Sequence, residues 1–167
     1  MQLQDFFDYK NRFIEDILTN ESIISLLSDE KISTDEAGKL VYKQVFPFEY
    51  IPETIKDGST FICCDVDIDK SLAKPFYLPT LYVWVFSHRS RLHLPEGGVR
   101  TDRICSEICK AINGSLMYGL GELELQSVKR FAPVTDYNGK VMTFYTKEFS
   151  KIFNGAKTIP ANRKASK

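Results

Sequence analysis

The chain has 167 residues, 43% of them hydrophobic and 13% aromatic, which is enough to bury the core of one domain and too apolar for a disordered chain. Lysines plus arginines equal aspartates plus glutamates at 22 each, without the basic excess expected of a general phosphate-backbone binder. No stretch approaches the ~18 apolar residues of a membrane span, and the scattered charges of MQLQDFFDYKNRF leave no apolar run for a targeting signal.

The first element is predicted over Gln4 to Asn20. There Phe6, Phe7, Phe13, Ile14, Ile17 and Leu18 form an apolar stripe on one helical face. Asn20 and Ser22 can end it and cap a short second helix through Ile23, Ile24, Leu26 and Leu27. Ser28 to Glu36 reads as a loop, and Ala37 to Phe46 fits helix or strand equally. Pro47 and Pro52 bracket FEYI, an extended connecting segment.

Ser59 to Asp69 alternates as a half-buried strand. Ile62, Cys64, Val66 and Ile68 share one face, and Phe61, Cys63, Asp65 and Asp67 the other. A loop of about ten residues with Pro75 and Pro79 leads to Leu81–Phe86, apolar on both faces like a strand covered on both sides. The two strands suggest an antiparallel pair. His88 to Arg100 reads as a long loop, and Thr101 or Asp102 as the cap of a third helix. That helix carries Ile104, Cys105, Ile108, Cys109 and Ile112 in one stripe and stops at Asn113-Gly114. Leu123 to Lys129 alternates as another strand. Asp136, Asn138 and Gly139 supply turn chemistry, and Val141 to Phe149 returns as the last strand.

The expected fold is α+β: N-terminal helices, then strand pair, helix, strand pair, forming a mainly antiparallel four-stranded sheet with helices packed on it. One domain covers residues 1–149, with a helical part at 1–36 and the sheet core at 59–149. Residues 150–167 form a basic arm. Met1 to Glu36 holds nine acids against Lys10, Arg12 and Lys31, whereas the last eighteen residues hold Lys151, Lys157, Arg163, Lys164 and Lys167 with no acid. This asymmetry reads either as solvated ends or as a dipolar subunit whose acidic end meets a neighbour's basic arm.

Few residues suggest chemistry. Cys63, Cys64, Cys105 and Cys109 have neither the CxxC spacing of a zinc knuckle nor that of a redox site, and read as reduced, buried, small hydrophobes. Asp65, Asp67 and Asp69 share one strand face and could hold a divalent metal for a nuclease. As an EF-hand the run fails, with Lys70 and Phe76 where Gly and Glu are required. A catalytic reading of His88 or His93 as a base oriented by Asp102 lacks a nucleophile. Gly97-Gly98 is too short to cradle a phosphate, and Gly119-x-Gly121 precedes a strand rather than a helix. The loop with His88, Arg89, Arg91, His93 and Arg100 suits contact with protein or DNA instead. Tyr82, Trp84 and Phe86 lie opposite Leu81, Val83 and Val85. Either the N-terminal helices cover this aromatic face, the option favoured for Trp84, or another subunit does.

The runs TFICCDVDI, LYVWVFSHRS, GGVRTDRICSEICKAING and GELELQSVKRFAPVTDYNGKVMTFYTKEF resemble the tail-terminator or tail-completion neck proteins of tailed bacteriophages and phage-tail-like particles. The resemblance covers about Ser59 to Phe149. It implies a structural virion protein of the tail and neck, assembled in the bacterial host cytoplasm, with no catalytic site, metal or cofactor. Its partners would be copies of itself in a homo-hexameric ring, the tail tube protein, and a head-side connector or stopper protein. No membrane is implied, and nucleic acid only where DNA passes through the ring. Tyr82, Trp84, Phe86, His88, Arg89, Arg91, His93, Arg100, Lys151, Arg163 and Lys164 are the candidate contacts. A head-completion or stopper role in the same neck, the metal-dependent nuclease and a DNA-binding accessory module are the alternatives.

Overall fold

A computed structural model describes residues 3–28, 32–51, 58–73, 76–118, 121–146 and 148–149. Helix α1 spans Leu3–Leu18 and α2 spans Glu21–Leu27. Between them the Asn20 Oδ1 accepts from the Ile23 amide at 3.2 Å, satisfying a donor that the first turn of α2 leaves open. Phe13, Ile14 and Ile17 of α1 and Ile23, Ile24 and Leu27 of α2 are all buried. The ambiguous stretch after them divides: a 3-10 helix runs over Thr34–Leu40, and a two-residue strand, β1, over Val45–Phe46.

The long strands are β2 (Thr60–Ala73), β3 (Phe76–His88), β4 (Glu124–Phe131) and β5 (Tyr137–Tyr145), with a short β6 at Glu148–Phe149. Helix α3, Arg100–Ile112, joins the two hairpins. The sheet order is β1-β2-β3-β5-β4. Strands β2, β3, β5 and β4 run antiparallel to their neighbours, β1 lies parallel to β2, and β6 pairs with the start of β3. The α+β class therefore holds, while the four-stranded antiparallel sheet becomes six-stranded and mixed.

Three boundaries differ from expectation for identifiable reasons. Pro79 does not interrupt β3, where it stands opposite Ile68. Its carbonyl accepts from the Thr146 amide at 3.3 Å, just past the last residue of β5. The missing proline donor thus points to the end of a neighbouring strand, where it removes little pairing. Asn138 and Gly139 are not turn residues but lie inside β5, and the Val141–Phe149 return is split between β5 and β6. Helix α3 begins one residue before Thr101, after Val99, with no side-chain cap. Its other end stops where expected, at Asn113, followed by Gly114 with φ +82°.

All three helices lie on one side of the sheet. Their apolar stripes close over Ile62, Cys64 and Val66 of β2, Leu81, Val83 and Val85 of β3, and Met142 and Phe144 of β5. Tyr118, in the α3–β4 connection, is fastened beneath α1: its hydroxyl donates to the Asp16 carboxylate at 2.5 Å, and Arg12 donates to the Met117 carbonyl. Among the described residues no helix is long and apolar enough to cross a membrane.

Candidate interaction surface

The second face of the sheet carries the aromatic side chains. The N-terminal helices do not cover it, because α1 and α2 pack with α3 on the opposite side; the option favoured for Trp84 is overturned. The chain covers one end of this face itself. Phe46 and Tyr50 stack with ring centroids 4.1 Å apart, and Tyr50 lies 5.5 Å from Phe61. Phe61 in turn meets Phe86 at 5.3 Å and Tyr137 at 5.8 Å. FEYI, read as a mere connection, thus carries part of a second core. The alternate aromatics Phe46, Phe48 and Tyr50 were the available signal.

Beyond that cluster, against whose edge Trp84 packs, the described residues leave the face open. Tyr82 and Trp84, two residues apart on β3, stack at 5.8 Å and are half-buried. Val141, Thr143 and Tyr145 of β5 stand beside them, also half-buried. Phe86 is different: it is fully buried in the aromatic cluster and offers a partner no surface.

The basic loop resolves into anchored and exposed groups. His88 sits at the end of β3, its Nδ1 2.7 Å from the Ser90 hydroxyl and its ring edge-on to Tyr137. Arg89 is exposed and pairs with Asp136 at 3.3 Å. His93 is exposed in a bridge to Val99, and Arg91 is half-buried. Arg100 is an internal strut. Only 7% exposed, it donates through Nε to the Arg91 carbonyl at 2.8 Å and through Nη1 to the Leu26 carbonyl at 2.7 Å. Lys151, Arg163 and Lys164 lie outside the described residues, as does the expected arm at 150–167.

The chemical alternatives find little geometry. Asp65 is held 2.5 Å from the Lys10 ammonium, and its carboxylate also accepts from the Val66 amide at 2.8 Å. The Asp69 side chain is outside the described set. Glu124 lies on β4, separated from β2 by β3 and β5, hence about 14 Å away at sheet spacing. No three metal-ligating side chains cluster among the described residues. Asp102 faces Lys140, at 3.7 Å. Cys63, Cys64 and Cys105 are buried, and burial pushes each thiol up to about 12; Cys109 is partly exposed.

A last feature escaped the sequence reading. Among the described residues β4 is an edge strand, its Leu125 amide capped by the Asn113 Oδ1 at 2.8 Å, and Val128 on its helix-facing side is 47% exposed. Helix α3 stops short of it, leaving an open groove of about 680 Å³ floored by Cys109, Leu125, Val128 and Met142.

A family model described as YomW matches residues 20–146, from the cap of α2 to the end of β5, and leaves α1 outside the match. No curated protein matches the chain. With three-quarters of its length accounted for in this way, the chain belongs to the YomW family.

Proposed function

We propose that the protein is a structural virion component: a ring-forming tail terminator at the neck of a phage or phage-tail-like particle. In this role it caps the tail tube and joins the tail to the head-side connector. The observation that carries the reading is the one-sided sheet, whose helices leave Tyr82 and Trp84 half-exposed on the other face. A stacked, half-exposed aromatic pair is the kind of surface that subunit interfaces bury. The strand pair, helix, strand pair order supports the same reading, and the YomW name points to a phage- or prophage-derived family.

The mechanism is geometric. Heterologous contacts repeated around an axis close a ring, and a closed ring stops tube growth by presenting a face onto which no further tube subunit adds. The exposed loop groups Arg89 and His93 stand at one end of β3, where a neighbour can meet them.

Native mass by light scattering, with negative-stain imaging, tests the reading. Alone or mixed with tail tube protein, the chain is expected to form closed rings of about six copies. Trp84→Glu should abolish the rings and leave the far-ultraviolet circular dichroism unchanged. A chain that stays monomeric with and without tube protein overturns the proposal. Binding to the head-side connector but not to the tube moves the role to a stopper.

A further inference from the structure

We propose that the groove between α3 and β4 receives the start of α1 from a second copy, with Phe7 as its anchor, so that copies join head to tail. Phe7 is 61% exposed on a helix whose inner face, with Phe13, Ile14 and Ile17, is buried. Its neighbour Asp8 and, two turns on, Glu15 are exposed as well. The outside of α1 is thus an aromatic knob set beside two acids. The α3–β4 groove is its counterpart. Its apolar floor holds the exposed Val128, Lys110 and Lys140 are among its lining, and the exposed Arg130 stands opposite Lys140 on the same side of the sheet.

The start of the β4 edge is closed to an added strand. Asn113 Oδ1 takes the Leu125 amide, and Gly114 and Ser115 pair with Leu123 beside it. What stays open is the side-chain surface shared by β4 and α3, which suits a helix laid alongside α3. Lys110 meets Glu107 at 2.9 Å and Lys140 meets Asp102 at 3.7 Å. Both pairs are partly exposed and therefore weak, so the acids of an incoming α1 can join them. With Arg130 as a third cation, this rim favours an acidic visitor over a basic one.

Knob and groove lie on opposite flanks of one molecule. Arg12 and Asp16 bond Met117 and Tyr118 on the side of α1 turned toward the α3–β4 connection. Phe7, nine residues before Asp16, is half a turn round the helix from it and faces away. Lys10 sets the same half of α1 over the far border of the sheet, donating to the Pro47 carbonyl at 3.2 Å just past β1. The groove borders β4, three strand spacings or about 14 Å from β2. A two-fold pair would need both features on one side. On opposite sides they give a heterologous contact, in which each copy offers α1 to the next and accepts one from the last. The inference does not rest on the neck reading, whose contact is the face with Tyr82 and Trp84.

Cysteine capture tests it. The groove floor carries the partly exposed Cys109, whereas Cys63, Cys64 and Cys105 are buried. The full-length chain carrying Trp84→Glu, which removes the proposed ring contact, is the background. There Phe7→Cys under mild oxidation should bond to Cys109 of the next copy. A head-to-tail contact makes the products climb as a ladder of dimers, trimers and longer chains, and adding Cys109→Ser should abolish it. Asp8→Lys with Glu15→Lys should cut the ladder by about tenfold at low salt, and so should Lys110→Glu with Arg130→Glu. Mixing these two proteins should restore it, since each then meets the opposite charge. No cross-link, a product that stops at the dimer, a ladder that survives Cys109→Ser, or no rescue on mixing overturns the proposal. Absence of rings from the unaltered chain, with this ladder intact, would count against the neck reading alone.

Discussion

The rings of Phe86 and Phe131 meet edge to face at 5.6 Å, although β5 runs between the strands that carry them. Both stand opposite the same residue, Gly139. A Cβ there would overlap the Val85 carbonyl oxygen and the Phe86 Cα. The glycine is a gap through which two aromatic side chains touch, closing the second core across a strand.

Gly139→Ala should therefore cost about 3 kcal/mol or more, because strand backbone rather than a flexible side chain must give way. Gly97→Ala is a control of another kind, with φ +96° but open space around it; strain alone should cost about 1 kcal/mol. Urea unfolding measures both. A Gly139→Ala loss no larger than that of Gly97→Ala would show that the aromatic contact is not set by the missing side chain.

Arg100 ties the start of α3 to the end of α2. It forks between the carbonyls of Arg91 and Leu26, and is itself almost fully buried. Arg100→Met keeps the apolar stem but strands both carbonyls, and should destabilise by about 2–4 kcal/mol. Arg100→Lys should recover only part of this, as an ammonium lacks the planar fork. Equal stability of the two variants would refute the strut.

These two residues mark what was legible in the sequence. Periodicity found α1, α2, α3 and the four long strands, because burial on one side writes a 3.6 or 2.0 repeat into the chain. It could not show which side of the sheet the N-terminal helices choose, since Leu81–Phe86 is apolar on both faces. Gly139 looked like a turn because a glycine in open turn and a glycine under a crowded strand read alike. Arg100 looked like a surface cation for the same reason: its carbonyl partners are distant in sequence and have no side-chain signature. The edge of β4 was hidden by chain order, in which β5 follows β4 but lies inside it in the sheet.

Asp65 offers a test of the nuclease alternative. Its ion pair with Lys10 is partly exposed on both sides, so solvent screens it and Asp65→Asn should cost only about 0.5–1 kcal/mol. A preparation with hydrolytic activity that Asp65→Asn abolishes while stability barely changes would overturn the structural role. The expected result is a small shift in the urea midpoint and no change in assembly.

The buried thiols set a pH dependence. Cys63, Cys64 and Cys105 have an ordinary value of 9.0 and are pushed up to about 12, in each case chiefly by burial. The unfolded chain releases these protons near pH 9 while the folded chain keeps them to about 12. Their contribution is thus complete below pH 9 and is lost as the pH rises through that window. At about pH 10 each thiol should lower stability by an amount on the order of 1 kcal/mol. Tyr118, raised by burial and by its bond to Asp16, acts with the same sign. Urea midpoints between about pH 8 and pH 10 should fall accordingly, and Cys64→Ala should flatten the slope by one thiol's share. Thiol labelling of the native protein near pH 8 gives the independent check, since the partly exposed Cys109 should react while the other three wait for unfolding. A midpoint that stays level through pH 10, or four thiols that label together in the native state, would mean that these side chains are not held in the interior as thiols.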